Sequence, residues 1–450
     1  MTRNTTDQAI VGAGPVGIVA ALAMAKAGEE VALFEGDPSL TKRFAGEWLH
    51  PEGLRLLRRH GIHLHAGLPW IAPSRGFAVL PEDGSEPILL DYPGGRLGLA
   101  FDRAGLIDLM REHCADTPGI NWIPSAKVTK VERGRLEVAS STPGAAGTWT
   151  AGRIVGADGR GSIVRRAHGE GRSPHLISYM VGAVVHGIEL PFEEYGHVVL
   201  GGPGPVLLYR IGDDAVRVCL DVPAALFRSS RDKTAALRGH LERLEPALRE
   251  PLRRELEAGR FEVRANQFRP RVFYGDAALP LVGDAVGFHH PLTAMGMTLG
   301  FADADCLARS DEFRTFERER IASTFVPELL AFALYEAFSR DDRGSASVRR
   351  AIYAMWREYE KERDRSMRLL CGEETNVLRF GQSFMRGAQL ALAQSLLHGG
   401  SIFGIYRETI GTIGTIGKIL RLLTWPSSSR LLPLRETWSS SPPKRAANAA

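Results

Sequence analysis

A glycine pattern near the N-terminus limits most strongly what this chain can fold into. Gly12, Gly14 and Gly17 follow a short apolar stretch and open an alanine-rich segment, and Glu35 closes the next apolar stretch. In a strand–helix–strand unit such glycines permit a tight turn, the approach of a pyrophosphate to the backbone, and close packing of the helix. The helix N-terminus would bind the phosphates, and Glu35 would bind ribose hydroxyls. The pattern predicts a dinucleotide-binding β-α-β unit, with a glycine-rich turn that binds nothing as the alternative.

Length and composition narrow the class of protein. The 450 residues predict two to three domains, and 44% hydrophobic with 24% charged residues is typical of a globular protein. A net charge of +4 gives no indication of nucleic-acid binding. The polar N-terminus lacks the apolar core of a signal peptide. The four cysteines are widely spaced and form no CxxC pair, which argues against a structural zinc site or a disulfide framework and favours the cytoplasm.

Two further motifs are suited to a nucleotide site. The segment Gly156–Ser162 is a glycine-rich turn with an aspartate after an apolar strand, although alone it would pass for a surface turn. Gly283 and Asp284 follow another apolar strand, where a carboxylate can hold the hydroxyls of a sugar chain. The amides of Gly296 and Met297, at a predicted helix start, can face an electron-rich ring edge.

The three motifs, in this order and spacing, resemble the FAD-binding pattern of the class A flavoprotein monooxygenases. The resemblance argues for FAD and against an NAD dehydrogenase, whose fold has no counterpart of the second and third motifs. It sharpens to the squalene monooxygenases (squalene epoxidases). Residues 43–53 are similar to that family's R-x-x-G-E-x-x-x-P-x-G, residues 290–298 to its H-P-L-T-x-x-G-M-T, and residues 322–338 to the region after its flavin domain. The similarity extends over most of the chain.

The resemblance implies a set of functional residues. Those implied to bind FAD are Gly12, Gly14, Pro15, Gly17, Glu35, Arg43, Arg103, Val128, Asp158, Gly283, Asp284, Gly296 and Met297. The substrate pocket would be lined by Phe77, Pro291 and Leu292. Within the FAD set, Glu35 and Arg43 would contact the adenosine ribose, and the backbone of Val128 would contact adenine. Arg103 and Asp284 would bind the phosphate and ribityl region, and Met297 would contact the isoalloxazine edge. Asp158 would lie in the region shared with nicotinamide. No catalytic side chain beyond the flavin is implied, and no metal site is expected, because His289 and His290 are better explained as structural.

The predicted fold class is α/β. It combines a Rossmann-like FAD-binding domain of the p-hydroxybenzoate hydroxylase type with a smaller antiparallel β-sheet substrate domain and a C-terminal helical region. The FAD-binding domain is expected at 1–75, 96–170 and 271–310, the substrate domain at 171–270 with a hairpin at 76–95, and the helical region at 311–450.

The resemblance also implies a reaction. The expected enzyme is an FAD-dependent monooxygenase that consumes NADPH or NADH and O2 and works through a C4a-hydroperoxyflavin. It would epoxidise or hydroxylate a lipophilic substrate such as an isoprenoid, a polyene or a prenylated aromatic, with a separate flavin reductase as a candidate partner. The alternatives are an aromatic or quinol hydroxylase of the same fold, a flavin-dependent prenyl-chain reductase, and a non-catalytic flavoprotein. A halogenase is disfavoured because its W-x-W-x-I-P motif is missing.

The sequence departs from the family pattern at three places. Phe77 stands where the family usually has a tyrosine near the flavin N5 edge, and a phenylalanine has no hydroxyl to donate. The loop Thr293–Gly296 replaces consecutive glycines with bulkier residues. The long N-terminal membrane segment of the eukaryotic members has no counterpart in this sequence. These departures leave the identity of the substrate open.

The C-terminal part suggests contact with a membrane. No Lys, Arg, Asp or Glu occurs between Gly387 and Tyr406, although several polar residues make that stretch a poor membrane span. The following segment 408–423 has an isoleucine at every third position from Ile410 to Ile419. This pattern fits either an amphipathic helix on the inner face of the membrane or a helix that packs on the core. The last dozen residues are predicted to be disordered.

Overall fold

A computed structural model of the chain describes residues 4–37, 39, 44–171, 173–230, 235–397 and 402–423. Arg43 and the last dozen residues therefore lie outside the described residues. The strands are β1 (Asn4–Val11), β2 (Val31–Phe34), β3 (Trp48–Leu49), β4 (Ile71–Ser74), β5 (Gly76–Leu80), β6 (Ile88–Asp91), β7 (Gly98–Phe101), β8 (Ile120–Ile123), β9 (Ala126–Glu132), β10 (Arg135–Ser140), β11 (Gly147–Gly156), β12 (His175–His186), β13 (Tyr195–Val199), β14 (Val206–Arg210), β15 (Ala215–Pro223) and β16 (Glu262–Phe268).

The helices fall into two sets along the chain. Up to the helix that directly follows the second glycine motif they are α1 (Pro15–Lys26), α2 (Pro51–Arg59), α3 (Arg103–Ala115) and α4 (Ile163–Ala167). Beyond it they are α5 (Ala224–Ser229), α6 (Arg238–Leu241), α7 (Pro246–Glu257), α8 (Gly296–Arg309), α9 (Phe313–Phe338), α10 (Arg343–Glu358), α11 (Glu360–Leu370), α12 (Val377–Leu397) and α13 (Ile402–Leu423). Single 3-10 turns span Pro93–Gly95, Gly159–Gly161, Ala235–Leu237, Gly283–Ala285 and Pro291–Thr293.

A six-stranded sheet carries the first glycine motif. Its strand order is β8-β2-β1-β11-β10-β9. Strand β1 pairs in parallel with β2 and β11, and β2 pairs in parallel with β8, whereas β10 runs antiparallel to β9 and β11. Strand β2 and the last three residues of β1 are apolar and buried, as in strands that are covered on both faces, whereas the first half of β1 is polar and partly exposed. The glycine turn therefore lies at the carboxyl end of a central strand.

A seven-stranded sheet faces the first across a cleft. Its order is β16-β12-β15-β14-β13-β5-β6. All pairs of adjacent strands in this sheet are antiparallel except β13 and β5, which run parallel. Strands β5 and β6 form a hairpin that comes from a much earlier part of the chain. A short three-stranded sheet of order β3-β7-β4 links the hairpin to the six-stranded sheet.

The last five helices pack beside the β5–β6 hairpin. Helix α9 is long and apolar enough to cross a membrane, but 61% of its most apolar stretch is buried inside the protein, as in a core helix. Helix α13 packs closely on α10 at Gly344 and Gly411. The contact leaves no room for a side chain, because a Cβ on Gly344 would lie 2.3 Å from the Gly411 carbonyl carbon. The predicted isoleucine row is divided: Ile410 and Ile413 are exposed, whereas Ile416 faces an internal cavity. The side chain of Ile419 lies outside the described residues.

A buried ion-pair network joins the third motif to helices α8 and α9. Asp303 is fully buried and accepts hydrogen bonds from Arg271, from Arg320 at 2.8 Å and from the Gly283 amide at 2.8 Å. The Arg271 guanidinium also donates to the Gly283 and Gly287 carbonyls, and the backbone amide of Arg271 donates to the Glu328 carboxylate at 2.8 Å. One carboxylate thus fixes the loop before Asp284 against two helices.

Replacing Asp303 with alanine should destabilise the protein strongly. The Asp303→Ala variant leaves two buried arginines without their shared anion, and such uncompensated buried charge costs about 3–5 kcal/mol. Urea unfolding of the full chain would measure this loss. The matched control is Glu250→Ala, which breaks an exposed pair with Arg253 and should change stability by no more than about 0.5 kcal/mol. A loss for Asp303→Ala as small as that of the control would contradict a structural role for the network.

Candidate functional site

The first glycine motif forms an open cradle at the start of α1. Gly12 has a positive φ of 98°, and a Cβ there would lie 2.8 Å from the Ala157 carbonyl oxygen. A Cβ on Gly17 would lie 1.9 Å from the Gly12 oxygen, so only glycine permits this packing. Among the described residues, a Cβ on Gly14 would meet nothing within 4 Å, because Gly14 faces a cavity, and no side chain caps the first amides of α1. An open backbone beside an uncapped helix N-terminus fits the pyrophosphate of FAD.

Glu35 lies at the end of β2, next to the cradle. Its carboxylate accepts hydrogen bonds from the amides of Ala13 at 3.0 Å and Asp37 at 2.8 Å. Its backbone oxygen accepts from the Ala126 amide at 2.7 Å, which brings β9 and Val128 close to this strand end. A carboxylate has about four lone-pair sites, so these two bonds leave capacity for ribose hydroxyls.

The second motif contributes backbone and an arginine to the cavity. Asp158 does not line the cavity: its carboxylate accepts from the Ile163 amide at 2.6 Å, and burial raises its pKa. Arg160, by contrast, lines the cavity. It lies 3.4 Å from Asp284, donates to the Ala265 carbonyl at 3.0 Å, and places its guanidinium over the Phe288 ring. Sequence reasoning chose the aspartate of this motif, whereas the structure brings forward the arginine two residues later.

The third motif forms the opposite wall of the cavity. Within the described ranges, helix α8 begins at Gly296 without a side-chain cap, and a Cβ on Gly296 would meet nothing within 4 Å. Ala294 just before it has a φ of 50°, a left-handed conformation that costs an alanine about 1–2 kcal/mol. Met297 lies near Gly46 of the 43–53 segment, and Arg103 donates to the Gly46 carbonyl at 3.5 Å. Three segments distant in sequence therefore converge on one edge of the cavity.

These walls enclose a cavity of about 560 Å³ between the two large sheets. Of the predicted residues, those that line it are Gly14, Pro15, Phe77, Arg103, Asp284, Pro291, Leu292, Gly296 and Met297. Those that do not line it are Gly12, Gly17, Glu35, Val128, Asp158 and Gly283. Gly12, Gly17 and Gly283 shape the turns behind the wall, and Glu35 and Val128 lie on β2's carboxyl end and on β9, which the Ala126 amide joins.

A directed hydrogen-bond chain supports Thr293, which lies between the cavity-lining residues Leu292 and Ala294. His50 is fully buried, and its Nε2 lies 2.8 Å from the Thr293 carbonyl, which can only accept. Nε2 must therefore carry the proton, and Nδ1 accepts from the Tyr92 hydroxyl at 2.7 Å. That hydroxyl in turn accepts from the Trp48 indole at 3.0 Å. Desolvation by burial lowers the pKa of His50 to about 4, against the opposing effect of the Thr293 bond, so the ring is neutral.

A second buried cluster holds the turn Pro291–Thr293. His290 Nδ1 accepts from the Leu292 amide at 3.2 Å, so its Nε2 donates to Asp221 at 3.0 Å. The same carboxylate oxygen accepts from the Ser178 hydroxyl at 2.5 Å and from the Asn266 amide at 2.9 Å. Asp221 is fully buried on β15. Its carboxylate therefore joins the seven-stranded sheet to the turn Pro291–Thr293.

A buried ion pair forms part of the sheet side of the cavity. Glu47 receives two hydrogen bonds from Arg217, at 2.7 and 2.5 Å, and a third from the Tyr209 hydroxyl at 3.2 Å. The Arg217 guanidinium also stacks over the Phe44 ring at 4.8 Å. The pair joins the 43–53 segment to β15. Sequence reasoning noted Glu47 only as a motif residue, and neither Arg217 nor Asp221 stands in a local pattern that would have marked it.

A second, apolar chamber of about 150 Å³ lies among α9, α10, α11 and α12. It shares Phe77, Val198 and Leu292 with the larger cavity. Its other walls are almost entirely hydrocarbon and include Ala333, Ala337, Phe338, Trp356, Phe380 and Phe384. The two spaces thus adjoin at three apolar side chains.

Comparison with known proteins assigns the family. The family profile for squalene epoxidase matches residues 150–405. The chain belongs to the squalene epoxidase family. It is 26% identical over 387 residues to squalene epoxidase of Aspergillus fumigatus, covering 78% of this chain and 79% of the relative. It is 28% identical over 389 residues to squalene epoxidase 3 of Arabidopsis thaliana, covering 77% and 70%.

Solved structures confirm the predicted fold class. PqsL of Pseudomonas aeruginosa, in complex with 2-aminobenzoylacetate, superimposes with a TM-score of 0.63 at 20% identity, over 75% of this chain and 97% of PqsL. The flavin-dependent brominase Bmp2 superimposes with a TM-score of 0.70 at 14% identity, over 88% and 100%. At such identities these structures establish the fold alone. As a member of the squalene epoxidase family, the protein is an FAD-dependent monooxygenase, as the sequence predicted.

The neutral His50 predicts a specific loss of stability in acid. Its pKa is about 4 in the folded protein and about 6.5 when unfolded, so the unfolded chain binds the extra proton between these values. Stability is complete above pH 6.5 and falls as the pH drops toward 4. Between pH 7 and pH 5 this single group should remove about 2 kcal/mol. Urea unfolding should show that His50→Gln loses about that much less than wild type over this interval, with equal behaviour between pH 7 and pH 8. Identical pH dependence of both proteins would refute the assignment.

Proposed function

We propose that this enzyme epoxidises or hydroxylates a lipophilic substrate at the junction of the two cavities. The observation that carries the proposal is the apolar chamber that adjoins the FAD cavity at Phe77, Val198 and Leu292. A chamber lined by hydrocarbon side chains favours an isoprenoid, a polyene or the prenyl chain of an aromatic compound. The names of the squalene epoxidase relatives point to the same chemical class.

The residues of the chain then position substrate and exclude water. Bound FAD, once reduced, supplies the activation of O2. The turn Pro291–Thr293 places Leu292 between the two spaces, and the Asp221 and His50 bonds hold that turn rigid. Apolar walls keep water from the reacting centre, which limits loss of the oxidant as peroxide. FAD would be held by Gly14 and α1, by Arg103 and Asp284, and by Met297 at the start of α8. We propose Glu35, Val128 and Arg43 as contacts of the adenosine end.

The electrons are proposed to come from NADPH or NADH, with a separate flavin reductase as a candidate partner. Arg160 and Arg264 line one edge of the FAD cavity, where they are paired with Asp284 at 3.4 Å and with Glu262 at 3.0 Å. Guanidinium groups at such an edge can also bind the phosphates of a nicotinamide cofactor. The second glycine motif, in which Arg160 lies, is therefore the proposed meeting point of the two cofactors.

Contact with a membrane is proposed through the last two helices. All but one of the strongly exposed large apolar side chains in the described residues lie on α12 and α13: Val377, Leu378, Met385, Leu396, Tyr406, Ile410, Ile413 and Leu420. The inner faces of the same two helices line the apolar chamber. A peripheral position on the cytoplasmic face of a membrane would let a lipophilic substrate enter the chamber without crossing water.

An aromatic substrate is the second candidate. Trp48 stacks on Phe77 with ring centroids 5.0 Å apart and meets Tyr209 edge-on at 5.6 Å. All three rings line the FAD cavity, and such a wall accepts a planar ring by stacking. A prenylated aromatic compound would place its ring there and its chain in the apolar chamber.

Oxygen labelling tests the reaction directly. Purified protein with FAD would be supplied with NADPH, labelled O2 and a panel of polyenes and prenylated aromatics. The proposal requires substrate-dependent O2 uptake and one labelled oxygen in an epoxide or hydroxyl group. Turnover of NADPH with a reduced, unlabelled product would instead establish a prenyl-chain reductase.

Filling the apolar chamber should impair long substrates selectively. Ala333 lines the chamber on α9, so Ala333→Phe removes space that a long chain would occupy. We expect kcat/KM for a long-chain substrate to fall at least about tenfold, corresponding to about 1.4 kcal/mol, with little change for a short-chain analogue. Ala322→Phe is the matched control, because Ala322 is exposed on the same helix. Equal kcat/KM for both chain lengths in Ala333→Phe would show that the chamber does not hold the substrate.

A charge on α13 should weaken membrane binding. Ile413 is 54% exposed, and Ile413→Glu adds a charge to the apolar surface proposed to enter the bilayer. Co-sedimentation with vesicles of anionic and neutral lipids should fall several-fold because a charged group is costly to bury in lipid. Ala322→Glu, which adds the same charge at an exposed position on α9, should bind like wild type. Unchanged vesicle binding of Ile413→Glu would exclude this surface as the membrane contact.

A further inference from the structure

The sheet side of the FAD cavity carries a polar cluster that has no counterpart in the apolar chamber. Glu47, Tyr209 and Cys219 line the cavity there. Among the described residues, the chamber is bounded by hydrocarbon and aromatic side chains, with the hydroxyls of Ser366 and Ser383 as the exceptions. A plain polyene has no group that would bond to the polar cluster, so the cluster requires a separate explanation.

A structural role explains only part of this cluster. Glu47 is 3% exposed and accepts two hydrogen bonds from Arg217, at 2.7 and 2.5 Å, which join the 43–53 segment to β15. This bidentate pair is complete without a third partner. The Tyr209 hydroxyl lies 3.2 Å from the same carboxylate, beyond the roughly 2.5–3.0 Å that is typical of a hydrogen bond between two oxygens. The tyrosine hydroxyl therefore adds little to the joint.

The direction of the hydrogen bond at Tyr209 is fixed by its neighbour. An ionised carboxylate only accepts, so the Tyr209 hydroxyl donates its single proton to Glu47. The hydroxyl oxygen can then only accept, and the further partner that the described residues offer is the Cys219 thiol at 3.8 Å, a weak donor. Tyr209 is partly exposed and lines the cavity. Its oxygen thus has capacity for a donor on a bound molecule.

Aromatic rings connect this tyrosine to the junction with the apolar chamber. Trp48 meets Tyr209 edge-on with centroids 5.6 Å apart and stacks at 5.0 Å on Phe77, which lines both spaces. A Cβ on Gly196 would lie 2.8 Å from the Trp48 ring and 3.1 Å from the Phe77 ring, so this glycine gives both rings their room. An aromatic ring at Tyr209 would lie along this wall, and a chain attached to it has a path past Phe77 into the chamber.

The charges of the cluster favour an uncharged ring. Glu47 repels an anionic head group, whereas its pairing with Arg217 leaves no uncompensated negative charge to attract a cation. The cluster therefore suits a neutral ring that carries a hydrogen-bond donor.

We propose that the substrate is a neutral aromatic compound whose ring O–H or N–H group donates a hydrogen bond to Tyr209, which makes Tyr209 a specificity-determining residue. The inference rests on the proposed function, in which a lipophilic substrate occupies the FAD cavity and the chamber. It selects the prenylated aromatic compound over the plain polyene. The chain from the substrate through Tyr209 to Glu47 also raises the electron density of the ring, because each hydrogen bond polarises the next. An electron-rich ring is more readily hydroxylated.

Binding of two matched ligands to the FAD-loaded enzyme tests the hydrogen bond directly. A geranylated phenol and its methyl ether share the same ring and chain, but only the phenol can donate. Their Kd values would be measured from changes in the flavin absorption spectrum. We expect wild type to bind the phenol about tenfold more tightly than the ether. Tyr209→Phe, which keeps the ring and its stacking, should weaken phenol binding about tenfold and leave ether binding within twofold of wild type.

Tyr195→Phe is the matched control. Tyr195 also donates to a carboxylate, that of Asp91 at 2.5 Å, but it does not line the FAD cavity. This variant should bind both ligands like wild type.

The contrary outcomes are distinct from one another. Equal affinity of wild type for the phenol and the ether would show that no ring donor is recognised, whatever the variant does. An equal loss for both ligands in Tyr209→Phe would assign this tyrosine a structural role. Binding of a polyene of the same length, but not of the phenol, would overturn the inference and leave the proposed function intact. An enzyme that holds FAD yet binds neither the polyene, the phenol nor the ether would overturn the proposed function itself.

Discussion

The buried carboxylate of Asp303 is the constraint on which the Gly283–Asp284 turn and the start of helix α8 depend. Gly283 must adopt a positive φ of 64° to turn the chain toward Asp284, and its amide is held by Asp303. Arg271 holds the carbonyls on both sides of the same turn. Since Asp303 belongs to α8, the helix whose N-terminus faces the cavity is fixed relative to the Asp284 loop. Both halves of the third motif therefore take their positions from a single ion-pair network.

Two further buried carboxylates fix the seven-stranded sheet against the segments that form the other side of the cavity. Asp221 receives three donors from three segments, and Glu47 receives the guanidinium of Arg217 and the Tyr209 hydroxyl. Burying a carboxylate is costly unless its hydrogen bonds are made. These contacts therefore penalise any relative displacement of the sheet and the cavity wall. The cavity between the two sheets keeps its shape because its walls are joined by polar contacts that tolerate little movement.

Features that depend on residues close in sequence could be predicted, whereas features that depend on contacts between distant residues could not. The glycine cradle was predictable because the requirements at Gly12 and Gly17 arise from backbone atoms that the local strand–turn–helix geometry brings close. The resemblance also identified Phe77, Pro291 and Leu292, and the structure places all three on the cavity wall. The hydrogen-bond networks around Asp303 and Asp221 could not be predicted, because the partners of both aspartates are distant in sequence. Nothing in the sequence distinguishes a buried aspartate from an exposed one.

Other differences arose where one pattern fits two environments. The aspartate of the second motif was expected at the cofactor, but Asp158 faces the first amides of α4 while Arg160 faces the cavity. The isoleucine row of α13 has a period near three, which drifts around a helix of 3.6 residues per turn. The row therefore cannot stay on one face, and Ile413 is exposed whereas Ile416 lines the apolar chamber. Neither of the two interpretations considered for this helix describes it alone.

The two adjoining spaces constrain where oxygen can be inserted under the proposed function. The chamber of about 150 Å³ is too small for a long isoprenoid, whereas the neighbouring cavity of about 560 Å³ must also hold the flavin. A long chain must therefore extend through both, past Phe77, Val198 and Leu292. Under that function, the part of the substrate on the FAD side of these three side chains is the part proposed to react. Leu292 lies on the turn held by His290, so the position of this boundary depends on that turn.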